Sequence, residues 1–274
     1  MFSVLISIYK KENPLFFQQS LDSIFNQTLL PNEVILVKDG PLTNALDTII
    51  NEYTKRYSTL KIINLPINQG LGKALNEGLK HCSYELVARM DTDDIAKPDR
   101  FKKQIEVFQK YPNIDVVGAW IEEFENNPSN IISIRKLPET PKEIYDYAKK
   151  RCPVNHPVVM FKKSSVLAAG GYQHFPLFED YYLWVRMLKN GAQFYNVQES
   201  LLYFRFSSDM FKRRGGWEYA FNEYKLQKEF RRIDFINTTN LLHNIFIRFT
   251  LRILPNNIRS IIYKKLLRKS INQR

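Results

Sequence analysis

Between residues 2 and 90 short apolar runs alternate with helical patterns, and nothing else in the chain limits its fold so strongly. Phe2 to Tyr9 is apolar, rich in β-branched residues and closed by Lys-Lys-Glu-Asn-Pro, as a buried strand should be. Pro14 then opens a helical pattern, with Leu15, Phe16, Leu21, Ile24 and Phe25 near helical spacing. Glu33 to Lys38 is a second strand-like run, ended by Asp39-Gly40-Pro41. A further helical stretch, the run Leu60 to Leu65, a glycine-punctuated helix from about Gly70 to His81 and the run Tyr84 to Met90 follow. Strands and helices alternating at this spacing predict parallel β-α-β units. Such sheets bind ligands beyond the carboxyl ends of their strands, and three candidates stand at such ends: Tyr9, Asp39 and the cluster Asp91, Asp93 and Asp94.

The rest of the chain reads less regularly. A charged helix runs from Pro98 to about Tyr111. Strands are expected at Val116 to Phe124 and Ile131 to Leu137, around an Asn-Asn-Pro-Ser-Asn turn, and a helix at Tyr181 to Lys189 leads to the apolar run Phe194 to Phe206. With 274 residues and 44% hydrophobic content the chain builds one large α/β domain or a domain with an appendage. Its two cysteines, Cys82 and Cys152, lack any C-x-x-C spacing, which excludes a disulfide framework and a structural zinc site and fits a reducing, cytoplasmic setting. The N-terminal apolar run is too short for a signal peptide. No segment supplies the roughly 18 apolar residues of a transmembrane helix, so no membrane crossing is expected.

Three carboxylates in a row repel one another and call for a partner. In an extended backbone Asp91 and Asp93 project to one face, where two hard oxygen ligands suit Mn²⁺ or Mg²⁺. The competing reading is an acidic turn, with Asp94 capping the next helix. Asp39 is placed either to accept hydrogen bonds from a base or ribose or to form an Asp-Gly turn. Glu179-Asp180 opens a helix, either as a dipole partner or with a general base at the cleft edge, and Asn155-His156-Pro157 is a further polar group for that region. Neither G-x-G-x-x-G after the first strand nor G-x-x-x-x-G-K-[ST] occurs, which disfavours dinucleotide dehydrogenases and P-loop enzymes.

Six blocks in order, SVLISIYKKEN, ILVKDG, NQGLGKALNEGL, ARMDTDD, HPVVMFKKSSVLAAGGY and FEDYYLWVRML, resemble the inverting family 2 glycosyltransferases of the GT-A fold over about residues 2–206. Within that family the nearest likeness is to bacterial enzymes that build O-antigen or capsule repeats on a lipid carrier. The resemblance implies a Rossmann-like, mostly parallel sheet with helices on both faces. It places Ser7, Tyr9 and Glu12 beside the nucleotide, Asp39 at the uracil or ribose and Asp91 near the ribose and sugar. Asp93 would hold the metal bound to the diphosphate, and Asp180 would be the catalytic base. Lys73 stands where the family often carries a basic residue and is expected to assist donor binding. The implied reaction moves glucose or galactose from a UDP-sugar to a lipid-linked acceptor such as GlcNAc-diphosphoundecaprenol, with a β-1,3 linkage. Polymerising members carry Q-x-x-R-W after the base; its absence here implies one sugar per encounter. The rival expectation is a catalytically idle GT-A domain that scaffolds the assembly machinery at the membrane.

The net charge of +12 is unevenly placed, since residues 205–274 hold 16 Lys/Arg and 5 Asp/Glu. Within Ser207 to Gly216 a basic segment, Lys212, Arg213 and Arg214, is expected either to close over a diphosphate or to remain an exposed loop. From Leu241 to Arg274 there are eight Lys/Arg and no Asp/Glu, interleaved with apolar residues at helical spacing and broken at Pro255. Two basic amphipathic helices there suit an anionic membrane surface, with intramolecular or dimer packing as the alternative and nucleic acid disfavoured for want of any reading module. The expected organisation is a transferase domain over 1–206, a mobile basic loop and helix over 207–240 and a membrane-associating tail over 241–274. With the lipid-linked acceptor that the resemblance implies, the protein is expected peripherally on the cytoplasmic face of the bacterial inner membrane.

Overall fold

The computed structural model describes residues 1–206 and 216–253. The β-α-β expectation holds through the first half: β1 (Phe2–Ile8), α1 (Pro14–Phe25), β2 (Glu33–Lys38), α2 (Asn44–Arg56), β3 (Leu60–Asn64), α3 (Leu71–His81) and β4 (Leu86–Met90). β1 pairs in parallel with β2 on one side and β4 on the other, with Ile6 opposite Leu36 and Met90, and β3 lies parallel outside β2. Asn13 starts α1, its side chain accepting from the Leu15 and Phe16 amides at 2.9 and 3.2 Å. The buried stripe of α1 is Phe17, Leu21, Ile24 and Phe25, not the expected one that began at Leu15 and Phe16. At 3.6 residues per turn Leu15 lies about opposite Phe17, and it is exposed.

Beyond β4 the pairing is mixed. β8 (Met160–Lys162) enters antiparallel between β4 and β6 (Ile114–Phe124), while β9 (Gln193–Arg205) runs parallel to β6. β5 (Ile95–Ala96) and β7 (Ile131–Arg135) pair antiparallel with β9 and β6. The order is β3-β2-β1-β4-β8-β6-β9-β5, with β7 on β6; the mostly parallel sheet expected is parallel through its first four strands and again between β6 and β9, with β8, β5 and β7 antiparallel. Alternate residues feed two cores. Val4, Ile6, Val34 and Leu36 meet α1, α2 and α4 (Arg100–Lys110), whereas Leu5, Ile35 and Val37 meet α3 and α7 (Glu179–Lys189). Helices therefore cover both faces.

Two short helices had no sequence counterpart, α5 (Pro141–Ala148) and α6 (Lys163–Ala168), nor did β8 and the 3₁₀ turn His156–Val158. At the C-terminal side α8 (Trp217–Arg232) lays Tyr219, Leu226 and Phe230 into the α7 core. α9 (Thr238–Ile253) packs on α8 and on the end of α5: Asn244 Nδ2 donates to Lys149 O and Gln227 Oε1 at 2.8 Å each. Arg248 pairs with buried Glu223 and donates to Lys150 O. Residues 254–274 lie outside the described residues. No helix among the described residues is long and apolar enough to cross a membrane.

Candidate active site

Because β2, β1 and β4 are neighbours, the segments leaving their carboxyl ends converge. Ser7 lies near the end of β1, Tyr9 comes just after it, and Glu12 follows in the turn, its amide donating to Tyr9 O at 3.1 Å. Asp39 follows β2 and is 3% exposed. It accepts from Gln69 N at 2.7 Å, Gly70 N at 3.0 Å and Asn68 Nδ2 at 3.0 Å, fixing the loop that starts α3. Gly40 has φ +86, and an added Cβ would lie 2.6 Å from Asn68 N, so only glycine allows this approach.

The acidic cluster does not sit on extended backbone. Residues 91–94 form a bend between β4 and β5, and the bend gathers oxygens of Asp91, Asp93 and Asp94 within 4.8 Å of one another. Asp94 is not the helix cap anticipated: it is fully buried, and its Oδ1 accepts from Arg205 N at 2.8 Å. Its Oδ2 is buried without a hydrogen-bond partner. Ser20 Oγ holds the bend by donating to Asp91 O at 2.7 Å. Burial, then the Asp91 and Glu12 charges, raise the Asp93 carboxyl above its ordinary range. Burial, then the Asp93 and Asp91 charges, raise the Asp94 carboxyl as well.

Arg89, fully buried in β4, forms an ion pair with Asp91. Burial opposes its charge and the Asp91 carboxylate more than compensates. Arg89, Arg100 and Arg205 all lie near the cluster, yet among the described residues only Arg89 pairs with one of its carboxylates, and the buried Asp94 Oδ2 has no hydrogen-bond partner. The donors are all hard oxygens, so they fit Mg²⁺ or Mn²⁺.

Asp180 stands in the first turn of α7, half-buried. Its Oδ1 accepts from Tyr181 N at 2.7 Å, and the Cys152 thiol lies 3.9 Å from Oδ2. Tyr172 links the two halves of the site. Burial raises its phenol, Arg89 opposes that, and the charges of Asp180 and Asp91 both add to it, so the base candidate and the acidic cluster both act on one tyrosine. Its OH is 2.9 Å from His156 Nε2, and burial with the nearby Arg89 charge keeps that imidazole neutral. Asn76 of α3 clasps Tyr172 through Tyr172 N to Oδ1 at 2.8 Å and Nδ2 to Tyr172 O at 2.7 Å. The first turn of α3 thereby meets Glu179 at Gly72 and carries Lys73, exposed, on the adjoining position.

The fold thus brings Ser7, Tyr9, Glu12, Asp39, Asp91 and Asp93 to one edge of the sheet and Asp180 to its flank, while Arg213 and Arg214 lie outside the described residues. Arg89 and Tyr172 were not foreseen as parts of the site, and Asp94, foreseen as a member of the cluster, has its partner in Arg205. The one available signal was a lone arginine inside the apolar run Leu86 to Met90.

Residues 3–167 match the family described as Glycosyl transferase family 2. The chain belongs to that family. As a family 2 glycosyltransferase it is 42% identical over 268 residues to the UDP-Gal:alpha-D-GlcNAc-diphosphoundecaprenol beta-1,3-galactosyltransferase of Escherichia coli, covering 98% of this chain and 97% of that one. It is 38% identical over 268 residues to the amylovoran biosynthesis glycosyltransferase AmsE of Erwinia amylovora, covering 97% and 98%. Among solved structures, S. aureus TarS in complex with UDP-GlcNAc superposes with a TM-score of 0.66 at 16% identity, over 96% of this chain and 74% of that one. The mannosyltransferase PcManGT of Pyrobaculum calidifontis, in complex with GDP-Man and Mn2+, gives 0.61 at 15% identity, over 94% and 71%. These likenesses identify the GT-A fold of a family 2 glycosyltransferase.

Proposed function

We propose that this glycosyltransferase moves a single hexose, with inversion, from a UDP-hexose to GlcNAc-diphosphoundecaprenol or a close lipid-linked sugar, forming a β-1,3 linkage in O-antigen or related surface-polysaccharide assembly. The observation that carries the reading is the acidic bend, which gathers oxygens of Asp91, Asp93 and Asp94 within 4.8 Å of one another, with the charges of Asp91 and Asp180 both felt at Tyr172. The near full-length likeness to the E. coli galactosyltransferase supports the substrates and favours galactose over glucose. Nothing favours the idle scaffold.

In this mechanism the Asp180 carboxylate takes the proton of the acceptor hydroxyl as its oxygen bonds to the anomeric carbon, and the bond from that carbon to the diphosphate breaks on the opposite face. One base suffices, in contrast to the carboxyl pair of glycoside hydrolysis. Asp93 and Asp91 would hold Mn²⁺ or Mg²⁺, which when bound offsets charge building on the leaving diphosphate. Ser7, Tyr9, Glu12 and Asp39 line the nucleotide side, with Lys73 toward the donor. Arg213 and Arg214 are assigned to the diphosphate from sequence alone.

The acceptor's lipid places the enzyme at the cytoplasmic face of the inner membrane. Support comes from the basic C-terminal quarter and from exposed Phe221, Leu242 and Ile247 on α8 and α9, with Lys225 and Lys228 beside them. The domain division proposed from sequence, 1–206, 207–240 and 241–274, is retained, with the membrane role centred on the residues after α9.

The test is a transfer assay with UDP-galactose and UDP-glucose on a GlcNAc-diphosphate-lipid analogue. Galactosyl transfer with linkage β-1,3 is expected, and Asp180→Asn should lower kcat about 10²- to 10⁴-fold. No product from either donor, or an unaffected Asp180→Asn variant, would remove the assignment.

A further inference from the structure

Arg205, the last residue of β9, makes a set of contacts that neither the strand nor the core requires. Its backbone N–H donates to Asp94 Oδ1 at 2.8 Å and its Nε to Asp93 O at 2.9 Å. Its Nη2 donates to Gln19 Oε1 at 2.7 Å. The guanidinium is clamped between aromatic faces, 3.8 Å from the Phe16 ring centroid and 4.6 Å from that of Phe124. Residues of α1, β6, β9 and the acidic bend therefore meet at one buried side chain.

Among the described residues the guanidinium donates to a carbonyl and an amide oxygen, not to the carboxylates it lies beside. A cation that neutralised Asp93 or Asp94 directly would compete with a metal there. Arg205 instead grips the backbone of Asp93 and, through its own amide, orients the carboxylate of Asp94 whose other oxygen is the buried orphan. Stacking on Phe16 and Phe124 stabilises its charge without taking a carboxylate. It also accounts for Phe16, which lies off the buried stripe of α1.

We propose that Arg205 is a positioning residue for the divalent cation, acting through the main chain of Asp93 and the side chain of Asp94 to hold the acidic bend in its ligating shape. The proposal rests on the reading of that bend as the metal site. It makes a prediction opposite in sign to simple electrostatics. As a bare positive charge beside the site, Arg205 would weaken cation binding and its removal would strengthen it; as a positioning group, its removal weakens binding. Outer-shell groups of this kind typically change metal affinity about 10- to 100-fold.

The experiment titrates Mn²⁺ into the full-length protein at saturating UDP and follows the EPR signal of free Mn²⁺, in the wild type, Arg205→Gln, Arg205→Lys and Asp93→Ala. Both Arg205 variants should bind Mn²⁺ about 10- to 100-fold more weakly, with a broadened lineshape for the bound ion. Arg205→Lys keeps the charge and the stem but not the fork, so its loss isolates geometry from charge and decides the matter if the glutamine variant fails to fold. Unchanged or tighter Mn²⁺ binding in a folded Arg205 variant overturns the proposal. Wild type and Asp93→Ala binding Mn²⁺ alike would instead overturn the metal-site reading beneath it.

Discussion

Glu33→Gln is the perturbation whose size the structure fixes best. Glu33 opens β2, at the end of the strand away from Asp39, and is 2% exposed. Burial alone would raise its carboxyl, yet Lys61 Nζ at 2.7 Å, Ser3 Oγ at 2.7 Å, and Ser83 N and Oγ at 2.5 and 3.0 Å hold it down to about 2 from 4.5. Because the folded value is the lower one, the ionised carboxylate stabilises the fold fully above the unfolded value, and that contribution is lost as pH falls through about 2. A drop of this size corresponds to roughly 3 kcal/mol at pH 7 and roughly 1 kcal/mol at pH 3. These are upper figures, because Lys61 is half-exposed and screened by salt. The glutamine variant mimics the neutral side chain, so urea unfolding of both proteins at the two pH values isolates this one group from all other titrations. The difference in stability should shrink on acidification while donor affinity at neutral pH stays unchanged. A difference that is the same at both pH values would refute the reasoning.

Three further outcomes follow from the same structure. Gly78→Ala should destabilise despite the roughly 1 kcal/mol helix-propensity gain, because the new Cβ collides with Leu5 Cδ1 and sits 2.7 Å from Val37 Cγ2 in a packed core. With overpacking costing about 1–3 kcal/mol, the net loss reaches about 2 kcal/mol and the melting temperature should fall by up to about 4 °C; a rise by the full propensity gain would contradict that packing. Truncation after residue 253 removes six Lys/Arg and should weaken binding to anionic vesicles, each basic residue near the surface being worth about 1 kcal/mol; full retention at low salt would remove the membrane role of the tail. Phe221→Ser with Leu242→Ser should weaken vesicle binding without altering transfer to a soluble acceptor analogue, measured by co-sedimentation beside the transfer assay.

What could be read from sequence was what long periodic runs encode. The first four strands, α1 to α4, and the convergence of Tyr9, Asp39 and the acidic cluster follow from alternation and strand ends alone. The short elements α5, α6 and β8 escaped because three to eight residues span too few periods to show a pattern. Arg89 and Arg100 escaped for another reason: arginine reads as surface, yet both are buried here. Arg100 Nη2 donates to Arg89 O at 2.6 Å and its Nη1 points to Met90 Sδ at 3.0 Å, a tertiary arrangement that residue spacing does not encode. The alternative that Asp94 caps the next helix stayed open because local sequence cannot reveal a partner 111 residues away. The same holds for Tyr172, whose neighbours come from β4, α3 and the start of α7.

In the proposed function the acidic bend joins a divalent cation to a nucleotide diphosphate. Calorimetric titration of the purified protein with UDP, with and without Mn²⁺ and repeated in Asp93→Ala, addresses it most directly. Metal-dependent UDP binding that disappears in Asp93→Ala is the predicted result. UDP binding that is indifferent to Mn²⁺, or that survives intact in Asp93→Ala, would contradict the account.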